Sequence, residues 1–182
     1  KTTIMDTGSI TVGSQIFKGW TVLGIVDIYK AIAMSSNIFF YTVGGGYGNI
    51  SGLGPDKIGE YLKRFGFSSL TKIDLPGEVS GFIPTPEWKR LAKKEAWFTG
   101  DTYNMSIGQG FIQVTPLELA AATAAIANNG FLIKPRAVKM ITDKDGKIIE
   151  SIEPEILRRD FVDAPSLAII RRAMGETAVS GS

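Results

Sequence analysis

Apolar residues recur at helical spacing at Ile28, Tyr29, Ile32 and Ala33, following Ile25 and with Asp27 placed as a cap. This predicts a first helix that runs directly into Ser35-Ser36-Asn37. A second apolar run, Ile38 to Val43, stops in Gly44-Gly45-Gly46, and the loop continues through Gly48, Gly52 and Gly54. Pro55 opens the next predicted helix and Gly66 closes it, with Ile58, Tyr61, Leu62 and Phe65 on one face. Upstream, Gly8, Gly13 and Gly19 among β-branched residues read as turns and short extended pieces.

The second half is punctuated differently. Asp74-Leu75-Pro76-Gly77 and Pro84-Thr85-Pro86 mark a long irregular stretch, broken by a short basic helix near Glu87 to Glu95. Thr115-Pro116-Leu117-Glu118 is a capping box, threonine at the cap and glutamate third, and starts a helix to Asn128 that ends at Asn129-Gly130. Its alanines, at 120 to 122, 124, 125 and 127, give a smooth surface expected to be buried. Val138 to Ile152 reads as a hairpin around Lys144-Asp145-Gly146-Lys147. A last amphipathic helix, capped near Asp163, directs Leu167, Ile170 and Met174 inward. There is no internal repeat and no low-complexity tract.

Composition narrows the chemistry more than it narrows the fold. With 182 residues, 44% of them hydrophobic, the chain can fill a core. A net charge of +2 leaves no basic field for nucleic acid or acidic lipid. Histidine and cysteine are both absent, so thiol nucleophiles, histidine bases, serine-histidine-aspartate triads and the usual zinc sets are excluded within the chain. Chemistry must come from serine, lysine, tyrosine or carboxylates. The longest apolar-plus-small stretch, Leu119 to Ala127, is half the length needed to cross a bilayer, and no signal-peptide pattern opens the sequence. The start at Lys1 and the finish at Ser180-Gly181-Ser182 read as cut ends.

The candidate for chemistry is Ser35-Ser36-Asn37, an S-x-N tripeptide at the end of an apolar helix. Alone it is a weak signal, because serine and asparagine commonly end one helix and cap the next. Its surroundings change the weighting. Ala31 to Met34 leads into Ser35-Ser36-Asn37-Ile38-Phe39-Phe40, and Phe65-Gly66-Phe67 precedes Ile73-Asp74-Leu75-Pro76-Gly77-Glu78. Then come Pro84-Thr85-Pro86-Glu87-Trp88-Lys89, Gly100-Asp101-Thr102, Ile107-Gly108-Gln109-Gly110, Val114 to Ala120, and Ile126-Ala127-Asn128-Asn129-Gly130. In this order the phrases resemble class B penicillin-binding proteins along almost the whole chain, and the elongation-type branch typified by penicillin-binding protein 2 most closely.

That resemblance implies an α-rich α+β architecture, the helical subdomain of the penicillin-recognising fold with a β-hairpin, truncated at both ends. It implies a peptidoglycan D,D-transpeptidase in which a serine of an S-x-x-K element, activated by the lysine, attacks the penultimate D-alanine carbonyl of a stem peptide and passes the acyl group to an amine of a neighbouring strand. Of the family's elements only S-x-N is present; the S-x-x-K segment belongs upstream and the K-T-G strand downstream. By the resemblance Ser35 relays protons and Asn37 orients the substrate amide, both side chains facing a shared cleft. Gln109 either borders the substrate groove or simply sits in a tight turn before the Thr115 helix. No metal or cofactor is implied. The partners implied are the stem peptide, β-lactam antibiotics and membrane proteins of the elongation machinery. The implied location is the bacterial inner membrane, with the catalytic domain periplasmic or extracellular. The alternative is a β-lactam-sensing or scaffold domain of the same fold; a β-lactamase or carboxypeptidase ranks lower.

Four other segments invite chemistry and do not sustain it. Ser69-Leu70-Thr71-Lys72 matches S-x-x-K literally, but Gly66 has just closed a helix and Pro76-Gly77 follows, so Ser69 reads as a turn residue. The 182 residues by themselves are therefore expected to form no stable penicillin adduct. Lys1-Thr2-Thr3 lacks the glycine of K-T-G and lies on the wrong side of S-x-N. The glycines from Gly44 to Gly54 lack a following G-K-[ST], so they read as a flexible surface connection. Lys89, Arg90, Lys93 and Lys94, interleaved with Trp88 and Trp97 and diluted by Glu87 and Glu95, read as a solvated face with two anchoring tryptophans.

Overall fold

The turn-rich start forms four short strands, β1 (Ile4–Asp6), β2 (Ser9–Val12), β3 (Gln15–Lys18) and β4 (Gly24–Val26), in a computed structural model that describes residues 2–181. Lys1, and with it the first member of Lys1-Thr2-Thr3, lies outside the described residues, as does Ser182. β1 pairs antiparallel with β4, Ile4 opposite Val26, and β2 with β3, Ile10 opposite Phe17. The helices α1 (Ile28–Ala33), α2 (Asn37–Gly45) and α3 (Gly54–Arg64) follow. A single turn, α4 (Pro86–Trp88), then widens into a π-helical turn over Lys89–Lys93. Next come α5 (Thr99–Ser106), α6 (Pro116–Ala127), β5 (Leu132–Ile133), β6 (Met140–Thr142), β7 (Ile148–Ser151), β8 (Ile156–Arg158) and α7 (Ala164–Ser180). The α-rich α+β expectation holds. The chain divides into one unit of Lys1–Tyr61, Pro84–Ile112 and Pro165–Ser182, and another of Leu62–Ile83 and Gln113–Ala164.

In the first unit Ile4, Val26, Ala31 and Phe39 form one buried cluster. Ile10, Ile38, Tyr41 and Tyr103 form a second, with Phe17 edge-on to Tyr103 at a centroid distance of 4.8 Å. Its main helix contact is α2 on α5. α5 falls inside the stretch predicted to be irregular. Thr99-Gly100-Asp101-Thr102-Tyr103-Asn104-Met105-Ser106 is poor in helix formers and shows no apolar stripe. Burial of Thr102, Tyr103 and Met105 makes it helical, so tertiary packing overrides local propensity.

The glycines at the end of α2 serve that contact. A Cβ at Gly44 would collide with Ser106 Oγ, one at Gly45 with the Tyr103 ring, and one at Gly52 with the backbone of Gly45 and Gly46. Gly44 and Gly45 are helical, and Leu53 N returns to Val43 O at 3.0 Å. The segment expected to be a flexible surface connection is thus largely a close backbone crossing, needed because nothing wider than a hydrogen fits there.

The basic cluster is also corrected. Lys89 is 4% exposed; its Nζ lies 2.8 Å from Asp101 Oδ2, 3.5 Å from Glu95 Oε2 and 5.1 Å from the Phe98 ring centroid. Burial lowers its pKa, but the hydrogen bond from its Nζ to Asp101 and the charges of Asp101 and Glu95 outweigh that and leave it raised. Asp101 Oδ2 also accepts from Phe98 N at 2.7 Å, holding the start of α5. Arg90, Lys93 and Lys94 are exposed, as expected of a solvated face.

In the second unit the predicted capping box forms: Thr115 Oγ1 accepts from Glu118 N at 3.1 Å, and Glu118 Oε2 accepts from Thr115 N at 2.8 Å. Glu118 is nearly fully buried, and its other oxygen takes Gly81 N at 2.9 Å. α6 is buried on one face only, through Glu118, Ala122 and Ala125, while Leu119 is exposed. Ala125, Leu132 and Phe161 form this unit's core, with Phe65 edge-on to Phe161. The predicted hairpin is β6–β7, with Met140 opposite Ser151. Asp74 anchors its base by accepting from Ala137 N at 2.6 Å and Val138 N at 2.9 Å, and these two bonds pull its pKa down. Two predicted inward positions turn outward, Tyr61 in α3 and Met174 in α7. In α7 the buried positions are Leu167 and Ala173, with Ile170 half-buried, because the contact follows the i, i+3, i+6 row.

Candidate functional site

α1 ends in two backbone bonds that close a Schellman motif: Ser36 N to Ala31 O at 2.9 Å and Ser35 N to Ile32 O at 3.3 Å. The motif needs one left-handed residue, and Ser35 supplies it at φ 50°. Glycine takes this position without strain; an L-residue there costs about 1–2 kcal/mol. Ser35 is exposed, and among the described residues its hydroxyl has no hydrogen-bond partner. The indole of Trp20 donates to the preceding carbonyl, Met34 O, at 2.9 Å, tying off the helix end.

Ser36 goes the other way. It is 1% exposed and caps α2, its Oγ accepting from Phe39 N at 3.1 Å and donating to Asp6 Oδ2 at 2.6 Å. Asp6 is equally buried, and its Oδ1 accepts from Gly8 N at 2.9 Å. A hydrogen bond to a charged group contributes roughly 1.5–3 kcal/mol, enough to offset the strain at Ser35.

Asn37 is the first residue of α2, and its Nδ2 donates a long bond, 3.4 Å, to Lys18 O. Among the described residues its Oδ1 has no partner. Ser35 and Asn37 line one groove of about 280 Å³ together with Ile32, Phe40, Ser106 and Ile107. Ser106 is committed to packing: its Oγ donates to Thr102 O at 2.7 Å and abuts Gly44. Among the described residues the lining therefore offers a hydroxyl and a carboxamide oxygen without partners, between apolar walls. No side chain of this lining is ionised near neutral pH, so the groove can orient and relay but cannot by itself generate an alkoxide.

Gln109 does not join this lining. It is exposed, and its N donates to Asn104 O at 2.8 Å in the turn that closes α5, between Gly108 at φ 72° and Gly110 at φ 78°. Sequence reasoning missed Asp6, Lys18 and Ser106. Ser106 directly precedes the quoted Ile107 phrase, a usable signal; Asp6 and the Lys18 carbonyl carry none, since their roles depend on β1 and β3 folding back. Ser69-Leu70-Thr71-Lys72 is not helical: Thr71 N and Oγ1 donate to Glu78 Oε1 and Lys72 N to Oε2, with Lys72 at φ 62°. These bonds, that from the Thr71 hydroxyl foremost, lower the Glu78 pKa. Among the described residues no cluster of His, Cys, Asp or Glu could hold a metal ion, and no helix is long and apolar enough to cross a membrane.

Comparison with known proteins bears on this geometry. A family model described as the penicillin binding protein transpeptidase domain matches residues 1–182. The peptidoglycan D,D-transpeptidase MrdA of Acinetobacter baumannii is 40% identical over 128 residues, covering 69% of this chain and 18% of its own. MrdA of Haemophilus influenzae is 36% identical over 171 residues, covering 92% of this chain and 25% of its own. The chain thus spans a quarter or less of the length of these curated relatives. Among solved structures, the Helicobacter pylori penicillin-binding protein PBP2 in its complex with MreC matches at a TM-score of 0.78 and 31% identity, over 96% of this chain and 30% of that one.

Proposed function

Since the chain belongs to the penicillin-binding protein transpeptidase family, we propose that it carries the S-x-N part of the active site of an elongation-type peptidoglycan D,D-transpeptidase. The observation that supports this most is the left-handed Ser35, its hydroxyl unpartnered among the described residues, on one groove with Asn37. A strained residue with a free polar group beside a groove fits function better than stability.

In this reading the attacking serine and its lysine sit on an S-x-x-K segment of the whole protein outside this sequence, and the K-T-G strand likewise. The serine attacks the penultimate D-alanine carbonyl, the terminal D-alanine leaves as an amine, and an amine of a neighbouring strand resolves the acyl-enzyme. Ser35 passes a proton toward the leaving amine, since one hydroxyl both accepts and donates. Asn37 Oδ1 accepts from the substrate's amide N–H while its Nδ2 is steadied by Lys18 O. Gln109, two residues beyond the lining residue Ile107, contacts substrate at the rim. A β-lactam acylates the same serine through its strained amide. The whole protein is anchored in the inner membrane, acts outside the cytoplasm and works with elongation-machinery membrane proteins; the MreC complex of the Helicobacter pylori relative supports that last point.

The test is labelled penicillin on the whole protein, with the adduct located by mass spectrometry. It should fall on a serine of an S-x-x-K element outside residues 1–182, and Ser35→Ala should slow acylation roughly 10²-fold. Labelling at Ser35 or Ser69, or reversible binding with no adduct, refutes the reading.

A further inference from the structure

We infer that Asp6 is a positioning residue for the groove: through Ser36 it holds Ser35 in its left-handed conformation and sets how Asn37 enters α2. This rests on the function proposed above, because the groove it shapes is the one assigned to substrate.

Asp6 is a carboxylate at 1% exposure, on the same strand as the core residue Ile4, and no cation pairs with it among the described residues. A buried charge without a counter-charge is unfavourable unless its oxygens are fully used. Both are used: Oδ1 takes Gly8 N and Oδ2 takes the Ser36 hydroxyl at 2.6 Å.

Capping α2 does not require this. A serine at a helix start usually serves its backbone partner alone and leaves its proton to water. Here the proton is pinned by a residue 30 positions upstream, which locks the hydroxyl rotor with its lone pair on Phe39 N. Ser36 lies between Ser35 and Asn37 in sequence, and its own N closes the motif that turns Ser35 left-handed. Neither groove residue can reorient while Ser36 stays fixed at both its amide and its hydroxyl. The middle residue of S-x-N, silent in the motif, is the point through which β1 governs the two on either side.

The experiment measures acylation of the whole protein by a fluorescent penicillin, normalised to the folded fraction, alongside thermal unfolding. D6A should lower the limiting acylation rate constant at least ten-fold, with the half-saturating penicillin concentration changed far less. S36A should do the same, and D6A combined with S36A should be no slower than the slower single variant. D6N, which can still accept from Gly8 N but can only donate to Ser36 Oγ and so no longer holds the Ser36 proton, should fall between. If D6A does not fold, S36A and D6N decide alone. Variants that melt earlier but keep rate constants within two-fold of the parent overturn the inference and make Asp6 a core support only. A parent protein that forms no adduct removes the functional reading, and this one with it.

Discussion

The helices α1 and α5 close with the same pair of hydrogen bonds but place different residues at the left-handed position. At α5 the bonds are Gln109 N to Asn104 O and Gly108 N to Met105 O, and the turn is made by Gly108 at φ 72°. At α1 they are Ser36 N to Ala31 O and Ser35 N to Ile32 O, and the turn is made by Ser35 at φ 50°. After α3 the chain turns at Gly66 and after α6 at Asn129, residues that tolerate this conformation. Of the ends of α1, α3, α5 and α6, the one that lines the groove departs from the favourable choice; the π-helical turn, closed by Lys94 at φ 60°, does so too, but its end does not line the groove. The hydroxyl is kept at the expense of backbone strain, and the buried Asp6–Ser36 bond offsets it.

That contrast can be broken or sharpened by substitution, taking the greatest expected effect first. Lys89→Ala strips the buried partner from Asp101 at the start of α5 and should destabilise the whole protein by ~3 kcal/mol, read from denaturant unfolding. A loss within the range of an exposed pair, ~1 kcal/mol or less, would mean α5 is held by packing alone. Ser35→Gly separates the two demands on α1: acylation should fall roughly 10²-fold while thermal stability rises by up to ~1 kcal/mol. A glycine variant that loses stability would show that Ser35 is not strained. Gly108→Ala places a Cβ at the corresponding position of α5 and should cost about 1–2 kcal/mol, since no side-chain hydrogen bond is there to offset it. Asn129→Gly is the control at α6, expected within ~0.5 kcal/mol and without effect on acylation. A larger change there would remove the ground for treating Ser35 as exceptional.

The elements legible in the sequence were those whose signals are local. Asp27 caps α1 through Lys30 N at 3.0 Å, the Thr115–Glu118 box starts α6, and Lys144-Asp145-Gly146-Lys147 turns the β6–β7 hairpin. The ordered phrases around Ser35-Ser36-Asn37 pointed to the family because each is a short local string and all recur in one order along the chain. α5 was not legible, because its helicity comes from Tyr103 and Met105 being buried rather than from propensity or period. Lys89 was misread as solvated, because its acid partner lies 12 residues away, across a π-helical turn.

Sequence alone determined which groups could line the groove: a hydroxyl and a carboxamide, with no histidine or thiol anywhere in the chain. Tertiary structure decided which serine does which job. Ser35 and Ser36 are identical in composition and adjacent in the chain, yet one is exposed in a left-handed turn and the other buried against Asp6. A carboxylate 30 residues distant makes that distinction, and only folding brings it within 2.6 Å.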